Sequence, residues 1–545
     1  MPAMARQSPR SRIEPSYPVY NRTMRSKRTV RLGLVCAVSI GWVLGGLCWP
    51  ASSLAASMVL APATMARLGS IDERFQSYNI EMVEVSGGHF WRPYGDSRKA
   101  SSSSVPGGVP KDPPMFAYRK PIDLANPRLR MLAAALGPAY LRVSGTWANT
   151  TYFDDAGGNA TSPPAGFNGV LTRKQWKSVV EFARAVDARL VTSFATSPGT
   201  RDARGVWTPA EASKLIAYTH SLGGSIAAAE FMNEPTLPAM GGAPDGYNAA
   251  SYGRDIAVFR PFLKRASPDT IFLGPGSVGE GASGGLTSED ILKAVGPAFD
   301  AFSYHYYGAT SQRCTKEVPS AAARDENALS ERWLSGAERA ESFYAGLRNR
   351  FEPGRPLWIT ETAAAACGGN PWDSTFLDSF RYLDQLGRMA QRRVQVVMHN
   401  TLAASDYGLL DENSFAPRPN YWAALLWRKL MGTIVLDPGS SPTPGFHLYA
   451  HCLRGKPGGV ALLAINTDRT VSQSLDLPVA ASRYAVTAVN LTDTSVRLNG
   501  RELRLGTPDE LPALEGDPVA PGRLDLASAS ITFFAIDDAG NPACL

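Results

Sequence analysis

Six cysteines and six histidines in 545 residues leave little material for metal or redox chemistry. No two cysteines form a C-x-x-C pair and no histidines form an H-E-x-x-H pattern, so no metal and no cofactor are expected. Charge of one sign is also scarce. The formal net charge is +6, but residues 1–55 hold eight Lys and Arg against a single acid, Glu14. The remainder carries 47 basic and 48 acidic residues. So balanced a chain is not built to coat nucleic acid, and an acidic ligand must be met by a local patch. After the first fifty residues no apolar run is long enough to span a bilayer.

The one long apolar run reads as an export signal. Arg25, Lys27, Arg28 and Arg31 precede Leu32–Trp49, and Ser53-Leu54-Ala55 offers a small-residue cleavage site. Residues 1–56 are therefore expected to be an N-terminal extension and secretory signal, and the mature protein to be secreted or periplasmic without a membrane span. Cys36 and Cys48 fall inside this segment. The other four cysteines suit disulfides in an exported chain. Cys452 follows the strand-like run His447–Ala450 and Cys544 is next to the last residue, so a Cys452–Cys544 bridge is expected. Cys314 and Cys367 could form a second.

Chemistry concentrates in two stretches. The apolar run Ile226–Met232 ends in Asn233-Glu234-Pro235, and Leu357-Trp358-Ile359-Thr360 ends in Glu361-Thr362. A buried strand that stops at a carboxylate presents it from a fixed backbone, and Pro235 ends the ladder for want of an N–H. Glycosidases flank one bond with two carboxyl groups. Glutamates so distant in sequence meet only if the fold gathers strand ends, as the C-terminal face of a parallel α/β barrel does. Asn233 is placed to bond a sugar hydroxyl. Glu230 stands an even offset from Glu234 and needs a partner if it faces a filled barrel.

Taken in order, the chain supplies eight such strands: Phe75–Val85, Ala139–Gly145, Arg189–Phe194, the Glu234 strand, Ile271–Gly274, Phe299–Tyr306, the Glu361 strand and Val394–His399. Helical patterns alternate with them, among them Arg173–Val186, Ala210–Ser221, Ala328–Arg350 and Phe376–Arg392. This predicts an α/β fold, a (β/α)8 TIM barrel over residues 57–435, with Glu234 on strand four and Glu361 on strand seven. Beyond Leu436 short strand patterns (Gly459–Ile465, Ser482–Asn490, Ser495–Leu498, Ile531–Ile536) predict a β-sandwich over 436–545. Residues 87–120 form a long Ser/Gly/Pro-rich insertion after strand one. Its Arg92, Arg98, Lys99, Lys111, Arg119 and Lys120 against Asp96 and Asp112 make it the expected patch for a sulfated substrate.

Several stretches resemble heparanase-like β-glucuronidases, glycoside hydrolase family 79: Ala139-Tyr140-Leu141-Arg142, Asn233-Glu234-Pro235, His305-Tyr306-Tyr307, Thr360-Glu361-Thr362, Asp411-Glu412-Asn413, Pro419-Asn420-Tyr421-Trp422 and the ending Pro542-Ala543-Cys544-Leu545. The resemblance implies a retaining endo-β-glucuronidase that cleaves internal glucuronic acid linkages of heparan-sulfate-type glycans. The alternatives are an exo-β-glucuronidase on non-reducing-end glucuronides, or a catalytically silent glycan-binding protein. It further implies Glu234 as acid/base, Glu361 as nucleophile, and Tyr306 as the tyrosine supporting the nucleophile. The glycine turn at Gly368 and Tyr407 would hold the uronate carboxylate. Glu81 stands at an acidic sugar-binding position. The partner implied is an acidic polysaccharide.

Overall fold

The structure is a computed structural model that describes residues 58–95, 115–157, 162–281, 285–314 and 324–545. The expected signal segment lies outside these residues, as do Arg98, Lys99 and Lys111 of the insertion.

Eight parallel strands close into a barrel: β1 (Gln76–Glu81), β2 (Ala139–Ser144), β3 (Ala188–Ser193), β4 (Ile226–Glu230), β5 (Ile271–Ser277), β6 (Ala301–Thr310), β7 (Leu357–Ala366) and β8 (Val396–His399). Eight helices alternate with them: α1 (Pro127–Ala135), α2 (Arg173–Ala185), α3 (Ala210–Ser221), α4 (Ala249–Ala266), α5 (Ser288–Val295), α6 (Gly336–Phe351), α7 (Phe376–Gln391) and α8 (Pro419–Leu430). Helix α2 begins at a reciprocal cap in which Thr172 and Gln175 satisfy each other's backbone amides. The expected helix Ala328–Arg350 is broken: a short helix Glu331–Leu334 ends at Ser335, which also begins α6 at Gly336. The expected first strand also stops early, at Glu81, where a helical turn, Met82–Ser86, begins.

Inside the barrel the side chains are layered, as alternation along parallel strands requires. The bottom layer is apolar: Tyr140, Val191, Ala228, Leu273, Ala301, Trp358, Val396 and Met398. Two residues further along β2, β4, β6 and β7 come Arg142, Glu230, Ser303 and Thr360, all buried. Above them lie Glu234, His305 and Glu361.

The sandwich follows from strands Met431–Leu436, Phe446–Leu453, Val460–Asn466, Ser530–Ile536 and Ala481–Thr487, which run in that spatial order within a nine-stranded sheet. Its outer face packs on a three-stranded sheet through Leu448, Leu462, Phe534, Leu475, Leu477 and Leu526. The other face rests on α7, which explains why residues 376–390 of that helix are buried all round. The expected domain boundaries are crossed in two places. Arg67–Ser70 pairs with Met431–Leu436, and Met58–Val59 pairs with Gln473–Leu477, so the N-terminal lead-in belongs to the sandwich. These segments carry no local sign of which sheet they join. Cys452 bonds Cys544 with their Cα atoms 5.3 Å apart, tying the chain end to a central strand. Among the described residues no helix is long and apolar enough to cross a membrane.

Candidate active site

Strand β4 delivers Glu230 into the barrel, and the chain then bends to carry Glu234 to the rim. Glu234 has a φ of +49°, a conformation costly for a residue with a side chain, so its surroundings must impose it. The clamp is Asn149, in the short turn after β2. Its side-chain amide donates to the carbonyl of Asn233 at 2.9 Å and its oxygen accepts from the Asn233 N–H at 2.8 Å. The Asn233 side chain accepts from Arg142 at 2.7 Å, so it helps build the floor of the site.

Glu361 reaches the same space through an irregularity in β7. The pairing with β6 slips between Tyr304 and His305, so that His305 stands opposite Glu361 and Thr360 is skipped. Both Thr360 and Glu361 thereby face inward, the local re-aiming a bulge provides. Thr360 donates to Glu230 at 2.7 Å, while Glu361 accepts from Arg142 at 2.8 Å and from the Tyr307 hydroxyl at 2.6 Å.

Arg142 is the cation of the site. It is 1% exposed, and its guanidinium joins Glu230, Glu361 and Asn233 and lies 3.3 Å from His305 Nε2. Burial disfavours its charge, but Glu230, Glu361 and Glu81 outweigh that and hold it protonated. Glu230 in turn accepts from Ser303 and Thr360, and despite burial Arg142 keeps it below the usual carboxylate range. The partner that a buried Glu230 demands is thus Arg142.

The other two carboxyl groups move the opposite way. Burial pushes Glu234 up, and the Glu361 charge adds to it, against the bond from His305 Nδ1 at 3.0 Å. Glu81 is raised further, by burial and then by Glu361. His305 is disfavoured as a cation by burial, but Glu361 and the bond to Glu234 raise its pKa. In the neutral ring Nε2 must accept from Arg142, which can only donate. Nδ1 then carries the hydrogen directed at Glu234 Oε1.

Asn400, just after β8, joins the remaining groups: its amide donates to Glu81 at 3.2 Å, to the Tyr307 hydroxyl at 3.0 Å and to the Tyr407 hydroxyl at 3.4 Å. The carboxyl of Glu81 fits only because residue 145 is glycine. A Cβ there would sit 1.5 Å from Glu81 Oε2. Gly368, with φ +83°, packs against Trp91 and accepts at its carbonyl from Ser405 and from the Asp406 amide.

Of the expected site residues, the structure gathers Glu234, Glu361, Asn233, Glu81 and Tyr407 around one space, with Gly368 on the loop beside Tyr407. Tyr306 is not there. Successive strand residues alternate, and Ser303, His305 and Tyr307 point inward. Tyr306 therefore faces outward, its hydroxyl against Gly336 and its carbonyl accepting from Thr362. The tyrosine that bonds Glu361 is Tyr307. Arg119 also departs from expectation: it is buried, bonded to Glu412 at 2.8 Å and to the Ala403 carbonyl, and anchors the insertion rather than facing substrate. The sequence reading missed Arg142, Asn149 and Asn400. An arginine inside an apolar central strand was a usable signal, since such a charge must find carboxylates.

Glu234, His305 and Glu361 offer one atom each within 4.8 Å of one another, a spacing that could close on a cation. Arg142 already supplies positive charge there, and the paired carboxylates around a basic hydrogen-bonding core suit bond cleavage by acid and nucleophile.

This fold and this pair of rim carboxylates define a glycoside hydrolase. Residues 122–387 match the family described as glycosyl hydrolase family 79, N-terminal domain. Heparanase from Bos taurus is 28% identical over 510 residues, covering 82% of this chain and 89% of its own length. Heparanase-like protein 1 from Arabidopsis thaliana is also 28% identical, covering 69% of this chain and 71% of its own. Among solved structures, a 4-O-α-L-rhamnosyl-β-D-glucuronidase from Fusarium oxysporum shares the fold, with a TM-score of 0.58 at 14% identity over 88% of this chain and 99% of its own. By these likenesses the chain is similar to the heparanase-like glycoside hydrolases of family 79.

Proposed function

We propose that the protein is a retaining β-glucuronidase that cuts internal glucuronic acid linkages of acidic, heparan-sulfate-type glycans, working as an exported enzyme. The observation that carries this reading is the approach of Glu234 and Glu361 to within 4.8 Å, with His305 on both. Retaining enzymes hold their carboxyl groups about 5–5.5 Å apart, whereas inverting ones leave room for a water. The names of the bovine and fungal relatives support a glucuronic-acid substrate.

In this reading Glu361, hydrogen-bonded by Arg142 and Tyr307, attacks the anomeric carbon and forms the glycosyl ester. Glu234 begins protonated. Because His305 donates to Oε1, the proton rests on Oε2, from which it passes to the departing oxygen. The carboxylate left behind is stabilised by the same His305 N–H. It then takes a proton from water, whose oxygen attacks the anomeric carbon and frees Glu361. Glu81 and Tyr407 bind the sugar.

Glu361→Gln should abolish turnover. Glu234→Gln should cost about 10²–10⁴-fold on a glycan, and much less on an aryl glucuronide whose leaving group needs no proton. Equal losses on both substrates would remove Glu234 from the acid role. NMR of the first-formed product settles stereochemistry: an α-anomer from a β-glycoside would overturn the retaining mechanism. Chain-end analysis of a digested polysaccharide that yields only free uronic acid would favour the exo alternative.

A further inference from the structure

The insertion after β1 returns to the barrel as a two-stranded ribbon, Gly88–Trp91 paired with Phe116–Arg119. The ribbon is fixed at its base. Arg119 is held by Glu412, Glu84 and the Ala403 carbonyl, and Val83, Phe90 and Ala404 pack together beneath it. At the end away from that base Phe116 stacks on Trp91, with centroids 4.6 Å apart. Trp147, in the turn after β2, meets Trp91 edge-on at 6.3 Å and Phe116 at 6.4 Å. Phe116 is buried, but Trp91 and Trp147 are only half-buried. Met240, from the loop after β4, packs on the same group.

The wall stands at a definite place around the barrel. Trp147 lies between Gly145, which abuts the Glu81 carboxyl, and Asn149, which holds Asn233 beside Glu234. Trp91 lies against Gly368, whose missing side chain admits it: a Cβ at Gly368 would come within 2.5 Å of Trp91 Cβ. Glu81, Asn400, Tyr407 and Gly368 all lie on the arc from β7 through β8 to β1, and Glu234 projects from β4 on the far side. In the reading above the leaving group departs past Glu234, and Trp91, against Gly368, places its end of the wall by the arc that holds the glucuronate, on the non-reducing side of the cleaved sugar.

We propose that Trp91 and Trp147 form a stacking platform for the pyranose that precedes the cleaved glucuronic acid, a subsite that makes the enzyme act within chains. A pyranose offers an apolar face of C–H groups, and an indole is a large, rigid, flat surface that suits it at little entropic cost. Neither tryptophan brings a charge, so the platform takes the ring whatever its sulfation, leaving charge recognition to other groups. This inference rests on the glucuronidase reading and adds to it the residues that hold the chain beyond the cleaved sugar.

The test uses the full-length protein and two unsulfated oligosaccharides of alternating glucuronic acid and N-acetylglucosamine. In one the scissile glucuronate is the terminal sugar, and in the other a further sugar precedes it. Trp147→Ala and Trp91→Ala should lower kcat/KM on the extended substrate by roughly tenfold more than on the terminal one, mostly through KM. Trp147→Phe should recover part of the difference. The terminal substrate also reports folding, since a misfolded variant loses both activities alike while its near-ultraviolet circular dichroism changes. Equal losses in a folded variant would show that the wall shapes the glucuronate pocket itself, and no loss on either substrate would show that it is only packing. Both outcomes overturn the platform. If the wild type cleaves neither oligosaccharide nor an aryl glucuronide, the glucuronidase reading fails first and takes the platform with it.

Discussion

The contact between sandwich and barrel should weaken as pH rises, through one histidine. His447, on the strand Phe446–Leu453, is fully buried and places Nδ1 2.5 Å from Asp384 of α7 and Nε2 3.0 Å from Glu331. Tyr449, two residues along the same strand, donates to the same Asp384 oxygen, and Arg388 spans Asp384, Glu331 and Glu338. Burial would depress the imidazole, but the charge and hydrogen bond of Asp384 and the Glu331 carboxylate beside Nε2 raise it to about 9. Asp384 moves down to about 2: burial would raise it, but the charge and hydrogen bond of His447 prevail. The two shifts describe one interaction seen from either partner, so their energies are not added. A group whose folded pKa exceeds its unfolded value stabilises fully below the unfolded value, about 6.5 for histidine, and that contribution vanishes as pH rises through about 9. The displacement corresponds to about 3 kcal/mol. Urea unfolding of the wild type and of His447→Gln, measured near pH 6 and near pH 9.5, should show the difference in stability between them shrinking by about 3 kcal/mol. The comparison between proteins is needed because Glu84, raised by burial to about 7, titrates in the same window and is common to both. Parallel changes in the two proteins over this range would refute the ion-pair account.

Three further outcomes are expected. Tyr307→Phe removes a hydrogen bond to a charged carboxylate and should lower kcat/KM by about 10–100-fold, whereas Tyr306→Phe should stay near wild type; the reverse pattern would put the supporting tyrosine back at 306. Gly145→Ala cannot keep both its φ of +91° and the Glu81 carboxyl in place, so glycan hydrolysis should fall at least about tenfold, and an unimpaired variant would mean that Glu81 plays no part in sugar binding. Cys544→Ser opens a loop of 92 residues between bridged cysteines, and the chain-entropy treatment puts the loss near 5 kcal/mol by chemical denaturation; a loss below about 1 kcal/mol would show that the C-terminal turn is held by packing alone.

The alternation of apolar runs with amphipathic helices determined the barrel before any coordinates, because a strand buried on both faces must be continuously apolar and a surface helix must not be. For the same reason Glu234 and Glu361 were legible: a carboxylate that ends such a run has nowhere to go but the rim. The pairing of Cys452 with Cys544 was likewise legible from an even cysteine number and a chain end that needs anchoring. Register and cross-chain contact were decided only in three dimensions. The slip between β6 and β7 turns Thr360 and Glu361 inward together, and the alternation of β6 puts Tyr307, not Tyr306, on Glu361. A one-residue choice of face leaves no trace in composition. Nor does any local pattern tell Arg67–Ser70 to join a strand more than 350 positions away. The ionisation of the site belongs wholly to tertiary structure. Three glutamates of identical intrinsic acidity, Glu81, Glu230 and Glu234, are separated by which of them touches Arg142 and which is buried beside a neighbour's charge, since a pKa is set by surroundings and not by sequence.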